Sequence, residues 1–80
     1  MDYLPLLHTL IARLEHSGFV RQSAELSDAV FGASTGSELL MHSVVTLLEW
    51  KQTAPEAFEL VKKEALALQA FSHTQGLFPG

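Results

Sequence analysis

Hydrophobic residues recur along this chain at intervals of three and four positions, the spacing that places side chains on one face of an α-helix. Four segments show this pattern, and none shows the apolar and polar alternation that is typical of a half-buried β-strand. The sequence therefore predicts an all-α fold, arranged as a compact four-helix array. The predicted helices span approximately residues 3–17, 19–31, 36–52 and 54–73.

Residues that favour helix ends separate these segments. Asp2 can cap the first helix, and Pro5 falls in its first turn, where a missing amide hydrogen costs nothing. Gly18 is expected to end this helix in the left-handed conformation, and Gly32 is expected to end the second. The second helix lacks a strong cap unless Ser17 serves, so its stability must come from packing.

The clearest local signal is the turn before the third helix, which consists of Ser34, Thr35, Gly36, Ser37 and Glu38. Its last four residues fit a capping box, in which a hydroxyl and a carboxylate satisfy backbone amides at the start of a helix. The segment Thr53-Ala54-Pro55-Glu56 repeats this pattern before the fourth helix. We therefore expect almost no linker between the third and fourth helices.

The third helix has the widest hydrophobic surface, interrupted only by a narrow polar stripe at His42, Thr46 and Glu49. A helix with so little polar surface is expected to be buried on most sides, so helix three is predicted to be central. We expect helices one and four to pack on it and helix two to lie across an end. On helix four, Glu59 and Lys63 are spaced to form an ion pair.

Hydrophobic positions on the second helix are predicted to form one buried face, and they are Val20, Ala24, Leu26, Val30 and Phe31. Among the aromatic residues, Phe31, Phe58 and Phe71 are interpreted as core. Trp50 and the tail residues Leu77 and Phe78 fall near the ends of elements, where an aromatic or apolar side chain can also anchor a partner. These three residues are the candidate interface.

The length of 80 residues indicates a single domain, residues 1–80, with a short apolar tail at residues 74–80. A chain of this size buries only about 60% of its unfolded surface, so its core is marginal. There is no cysteine to add disulfides, yet 48% of the residues are hydrophobic. This composition predicts a homo-oligomer, most simply a dimer, or a complex with another protein.

The formal net charge of −4 argues against several classes of partner. Binding to a nucleic-acid backbone requires clustered basic residues, whereas here only Lys62 and Lys63 are adjacent. The apolar stretch from Leu39 to Trp50 falls short of the roughly 20 residues that cross a bilayer. We therefore expect neither a nucleic-acid partner nor a membrane partner. No signal peptide is predicted, so a cytoplasmic location is expected.

The hydroxyl-rich turn at 34–38 is a candidate anion site, because free amides at a helix start can receive a phosphate. Glu38 favours a structural role, since its carboxylate would repel an anion. An acidic helical chain with a serine at a helix start also resembles acyl carrier proteins, whose phosphopantetheine is attached to the serine of an Asp-Ser-Leu motif. Ser37 lies instead between Gly36 and Glu38. A carrier or small-ligand protein using Ser34–Ser37 is the alternative function.

The sequence contains no motif for a metal site or a catalytic site. The four histidines are too scattered for a metal site, and only Glu38 and His42 share a helix face four residues apart. No nucleophile motif is present, so neither an enzyme nor a cofactor is predicted. The leading functional hypothesis is a small non-catalytic protein-interaction module, a homodimer or an acidic partner protein of the immunity, antitoxin or accessory-factor type.

Overall fold

The computed structural model describes residues 3–76 and consists there of four α-helices with no strand. They are α1 (Tyr3–His16), α2 (Val20–Phe31), α3 (Gly36–Thr53) and α4 (Pro55–Thr74). The predicted all-α four-helix array is confirmed, with each described boundary within one residue of its expected position. The proposed cap at Asp2 lies outside the described residues.

The connection between α1 and α2 is a helix stop built around Gly18. This glycine has a φ of +89°, a conformation that costs a residue with a Cβ atom about 1–2 kcal/mol. The Phe19 amide donates to the Leu14 carbonyl at 2.8 Å, and the Gly18 amide donates to the Glu15 carbonyl at 3.2 Å. These two bonds satisfy the last carbonyls of α1 in the Schellman arrangement. Ser17 makes no capping bond to α2, whose N-cap is Phe19.

Each helix packs mainly against its neighbour in the chain. Helix α3 lies between α2 and α4 and contacts both, and α1 packs against α2 and, over a shorter stretch, against α4. The prediction that α1 packs mainly on α3 is wrong, because its main contacts are with α2, and α2 itself contacts both α1 and α3. Short connections favour this order, since they hold consecutive helices side by side.

The core is formed by leucine, valine, alanine and two aromatic side chains contributed by all four helices. Its buried hydrophobic members are Leu7, Leu10, Leu14, Leu26, Val30, Leu40, Val44, Leu47, Trp50, Ala57, Phe58, Val61, Ala65 and Leu68. Phe71 packs against this cluster while partly exposed. The predicted core roles of Phe58 and Phe71 agree with these positions. Burying a leucine or phenylalanine side chain contributes roughly 1.5–3 kcal/mol, so this cluster is the main source of stability.

Helices α3 and α4 meet at a single residue, Ala54, which serves as the C-cap of one and the N-cap of the other. The Ala54 amide donates to the Trp50 carbonyl at 3.0 Å, and the Phe58 amide donates to the Ala54 carbonyl at 3.0 Å. The capping box predicted for α4 is wrong, because Thr53 belongs to α3 and its hydroxyl donates to the Glu49 carbonyl at 3.2 Å. Pro55 occupies the first turn of α4 as predicted.

Arg13 links α1 to α4, the first and last helices of the array. Its guanidinium lies 3.0 Å from a carboxylate oxygen of Glu64 and donates to the Leu60 carbonyl at 3.3 Å. The ion pair expected between Glu59 and Lys63 does not form. Glu59 instead lies 3.8 Å from the Lys62 ammonium, one position earlier along the exposed surface of α4.

Candidate interaction surface

Helix α2 carries an exposed, mainly hydrophobic row, and its three hydrophobic members were predicted to be buried. Val20, Ala24, Ser27 and Phe31 recur at helical spacing and therefore lie on one face. Phe31 is 71% exposed and Val20 is 65% exposed. The prediction that these two residues and Ala24 belong to the buried face is wrong, because α2 turns a different face inward, formed by Ser23, Leu26 and Val30.

A small polar residue, Ser23, is buried on the inward face of α2. Ser23 is 5% exposed, and its hydroxyl donates to the Ile11 carbonyl of α1 at 3.2 Å. The short side chain lets the two helices approach closely, and its hydrogen bond replaces contact with water. With Ser23 directed at α1, the row from Val20 to Phe31 is displaced to the outer edge of the α1–α2 pair.

Phe31 is held over α1 rather than extending freely into solvent. Its ring stacks on the His8 imidazole with 5.9 Å between centroids and 28° between planes. Beside this pair is a shallow cleft of about 260 Å³, lined mostly by α1 residues, and its lining is His8, Ile11, Ala12, Glu15 and Phe31. Leu4, one turn before His8 on α1, is 39% exposed. We call Leu4, His8, Ile11, Ala12, Val20, Ala24, Ser27 and Phe31 the α1–α2 surface.

Charged residues border the α1–α2 surface on the solvent side of α2. Arg21 and Asp28 are both exposed, and within residues 3–76 neither forms an ion pair shorter than 4 Å. Glu25, four residues after Arg21, accepts a hydrogen bond at 3.2 Å from Trp50 Nε1. The carboxylate nearest to Arg21 in helical register is thus directed at α3.

Trp50, a predicted interface residue, is a core residue. Its side chain is 2% exposed, and its indole N–H is satisfied by the Glu25 carboxylate. The helix-end position suggested a partner contact, but α2 packs over this part of α3 and covers the ring. The other two predicted interface residues, Leu77 and Phe78, lie outside the described residues.

The turn at 34–38 caps α3, with one difference from the predicted box. Thr35 is the N-cap, and its hydroxyl accepts from the Glu38 amide at 3.1 Å. The Glu38 carboxylate accepts from the Ser34 amide at 2.9 Å, so it reaches one residue further back than a standard box. The Tyr3 hydroxyl also donates to the Gly36 carbonyl at 3.0 Å, which ties the turn to α1. The Ser34 amide is therefore already bound to Glu38 and is not free to bind an anion, while Ser37 is exposed.

The remaining sequence predictions concern metal sites, the Glu38 and His42 pair, and membrane-spanning helices. Across residues 3–76, no three or more His, Asp or Glu side chains converge in a way that could hold a metal ion. His42 is exposed on α3, and no hydrogen bond joins it to Glu38 in the described chain. None of the four helices, as far as they are described, is long and apolar enough to cross a membrane.

A second cleft, of about 410 Å³, lies on the outer side of α3 and is lined by Val45, Leu48, Glu49, Gln52 and Thr53. Its most exposed large hydrophobic residue, Val45, is 42% exposed, well below Phe31. Leu48 and the polar side chains of Glu49, Gln52 and Thr53 form the rest of its lining. The α1–α2 surface is thus the stronger candidate for contact with another molecule.

Comparisons of the chain with protein-family models, with curated proteins and with solved structures found no match. The α1–α2 surface must therefore be interpreted from its own chemistry. The sequence contained a signal for it, since Val20, Ala24, Ser27 and Phe31 share one face while Ser23, Leu26 and Val30 share another. Hydrophobicity alone did not show which of the two faces would be buried.

Proposed function

We propose that this protein is a non-catalytic protein-interaction module that binds another protein chain through the α1–α2 surface. The observation that carries the proposal is Phe31, a phenylalanine 71% exposed at the end of a helix and stacked on His8. An exposed aromatic residue forfeits most of the roughly 1.5–3 kcal/mol that its burial would contribute. Covering it with another protein recovers that free energy.

The surroundings of Phe31 support contact with a protein rather than with a small molecule. The cleft beside it is shallow and about 260 Å³ in volume, smaller than most small-ligand pockets. Aromatic residues are enriched at the centres of protein interfaces, and apolar patches rimmed by polar residues mark such interfaces. Here Arg21, Asp28 and Glu15 supply the polar rim.

The test is site-specific photo-crosslinking in the native host. A photoreactive phenylalanine analogue at position 31 is compared with the same analogue at Lys63, an exposed position on α4. We expect a defined protein adduct from position 31 and none from position 63. Equal adducts from both positions, or none from position 31, would contradict the proposal.

A further inference from the structure

We propose that the chain docked on the α1–α2 surface is a second copy of this protein, with the two α2 helices packed antiparallel about a two-fold axis. This inference rests on the proposed function and specifies its partner. In a two-fold interface the same residues are used by both copies, so the surface must be complementary to itself. Two independent features of α2 meet that requirement.

The first feature is the symmetry of the hydrophobic row on α2. Val20 and Phe31 lie at its two ends, and the small residues Ala24 and Ser27 lie near its middle. The row is symmetric about the midpoint between residues 25 and 26. When two copies pack antiparallel about that midpoint, Val20 of each copy meets Phe31 of the other. The small central residues allow the two helix backbones to approach closely.

The second feature is the arrangement of charge along the exposed flank of the row. Arg21 and Asp28 are seven residues apart, so they lie on the same side of the helix. In an antiparallel helix pair the same flank of both helices comes together, which places Arg21 of each copy near Asp28 of the other. Their midpoint differs from that of the row by one residue, so Arg21 of one copy and Asp28 of the other are offset by two residues, about 3 Å along the axis. The flexible arginine side chain can span this offset.

Charge complementarity distinguishes a second copy from an arbitrary partner. The chain has a net charge of −4, so two copies repel each other through most of their surfaces. The exposed flank of α2 instead carries both signs of charge, with Arg21 and Asp28 facing solvent and Glu25 hydrogen-bonded to Trp50. Arg21 lines a polar cleft together with Glu25 and Glu49 but forms no ion pair shorter than 4 Å within residues 3–76, so its guanidinium can reach a carboxylate of the second copy.

The first experiment is a charge-swap cycle on the purified full chain, measured by sedimentation equilibrium. We expect the unaltered protein to dimerise. Arg21→Asp and Asp28→Arg each place like charges at two symmetry-related positions, and each should weaken dimerisation about tenfold or more. The double variant exchanges both charges and should restore the dissociation constant to within about threefold of the unaltered protein.

Controls separate a local effect from a change in overall charge. Lys63→Asp and Glu56→Arg, both at exposed positions on α4, alter the net charge by the same amounts and should leave dimerisation nearly unchanged. Circular dichroism should show the same helix content for all variants. A dimer that the single variants leave intact, or that the double variant fails to restore, would overturn the antiparallel α2 arrangement.

The second experiment uses the absence of cysteine from the chain, which makes an introduced thiol unambiguous. Under mild oxidation, Ala24→Cys should form a disulfide-linked dimer, because residue 24 lies close to the two-fold axis. Lys63→Cys, distant from the axis, should remain largely monomeric. Equal cross-linking of both variants would contradict the inference.

These experiments distinguish failure of the inference from failure of the proposed function. A purified chain that remains monomeric up to about 1 mM, while position 31 cross-links to a different protein in the host, overturns the second-copy inference and leaves the interaction module standing. A monomeric chain with no adduct from position 31 overturns both. A dimer sensitive to the charge swap supports both.

Discussion

Helices α2 and α4 differ in how many of their side chains are buried in the core. Helix α4 has 20 residues and buries Ala57, Phe58, Val61, Ala65, Leu68 and Ser72. Helix α2 has 12 residues and no side-chain cap at its N-terminus. It buries only Ser23, Leu26 and Val30. It also exposes Val20 and Phe31 on its outer face.

Helix α2 is expected to be the less stable of the two helices. An isolated helix as short as α2 is marginal in water, and an uncapped one is weaker still. Turning two large hydrophobic residues away from the core gives up stabilisation that such a helix needs. Helix α4 also exposes one large hydrophobic residue, Leu66 at 41%, but its other large hydrophobic residues are buried or packed against the core, whereas α2 leaves both Val20 and Phe31 more than 60% exposed.

The largest stability effect should come from removing the aromatic residue that joins α2 to α3. Trp50→Ala leaves a cavity in the core and removes the hydrogen-bond partner of Glu25, so we expect a loss of about 3–5 kcal/mol. Urea unfolding followed by circular dichroism measures it. Where this variant fails to fold, Trp50→Phe keeps a six-membered aromatic ring, removes the indole N–H and leaves a smaller cavity, and should lose about 1–3 kcal/mol. An unchanged midpoint for Trp50→Ala would contradict its core role.

A smaller effect is expected at the junction of α1 and α2. Gly18→Ala forces a side chain into the left-handed conformation, which should cost about 1–2 kcal/mol although no atom lies within 4 Å of the new Cβ. Thermal unfolding is a suitable measurement. Ser17→Ala is the matched control, because Ser17 is exposed and makes no capping bond, and it should change stability by less than about 0.5 kcal/mol.

The cap of α3 should contribute somewhat less. Thr35→Ala removes the acceptor of the Glu38 amide and should cost about 1 kcal/mol. Ser37→Ala, at an exposed hydroxyl of the same turn, should cost little. The intact mass of protein purified from its host adds a second readout, since we expect Ser37 to be unmodified. An added group on Ser37 would favour a carrier function over a purely structural turn.

The smallest stability effect is expected where the hydrophobic side chain is most exposed. Phe31→Ala should change the unfolding free energy of the monomer by no more than about 0.5 kcal/mol, measured at low protein concentration. The same variant should weaken dimerisation about 30-fold or more, because aromatic residues anchor interfaces. A loss of monomer stability above about 2 kcal/mol would instead place Phe31 in the core and remove the contrast between α2 and α4.

Much of the fold could be predicted because it depends on local chemistry. The helix stop at Gly18, the N-cap at Thr35 and the first-turn proline at Pro55 all act within a few residues of chain. The failed prediction of a capping box at Thr53 has a local cause as well. Two helices joined through Ala54 share one capping residue, and Thr53 was already part of α3.

The candidate site could not be predicted to the same degree, because burial depends on which face of each helix meets another helix. Phe31 and Trp50 are both aromatic residues in the last turn of a helix. The sequence pattern predicts Phe31 in the core and Trp50 at an interface, whereas the structure exposes Phe31 and buries Trp50. Covering Trp50 required α2 to fold back onto α3, which brings Glu25 to Trp50, 25 residues away in the chain.

The sequence by itself determined that this protein has four helices, where each begins and ends, and that α3 lies among them with little polar surface. Spacing, glycines and caps act over a few residues, so they can be read directly. Only the tertiary structure decided which hydrophobic face of α2 is buried. A single hydrogen bond from Ser23 to the Ile11 carbonyl accompanies the rotation that turns Leu26 inward and leaves Phe31 exposed. The choice between two similar faces is made by packing between helices, and no pattern within α2 records it.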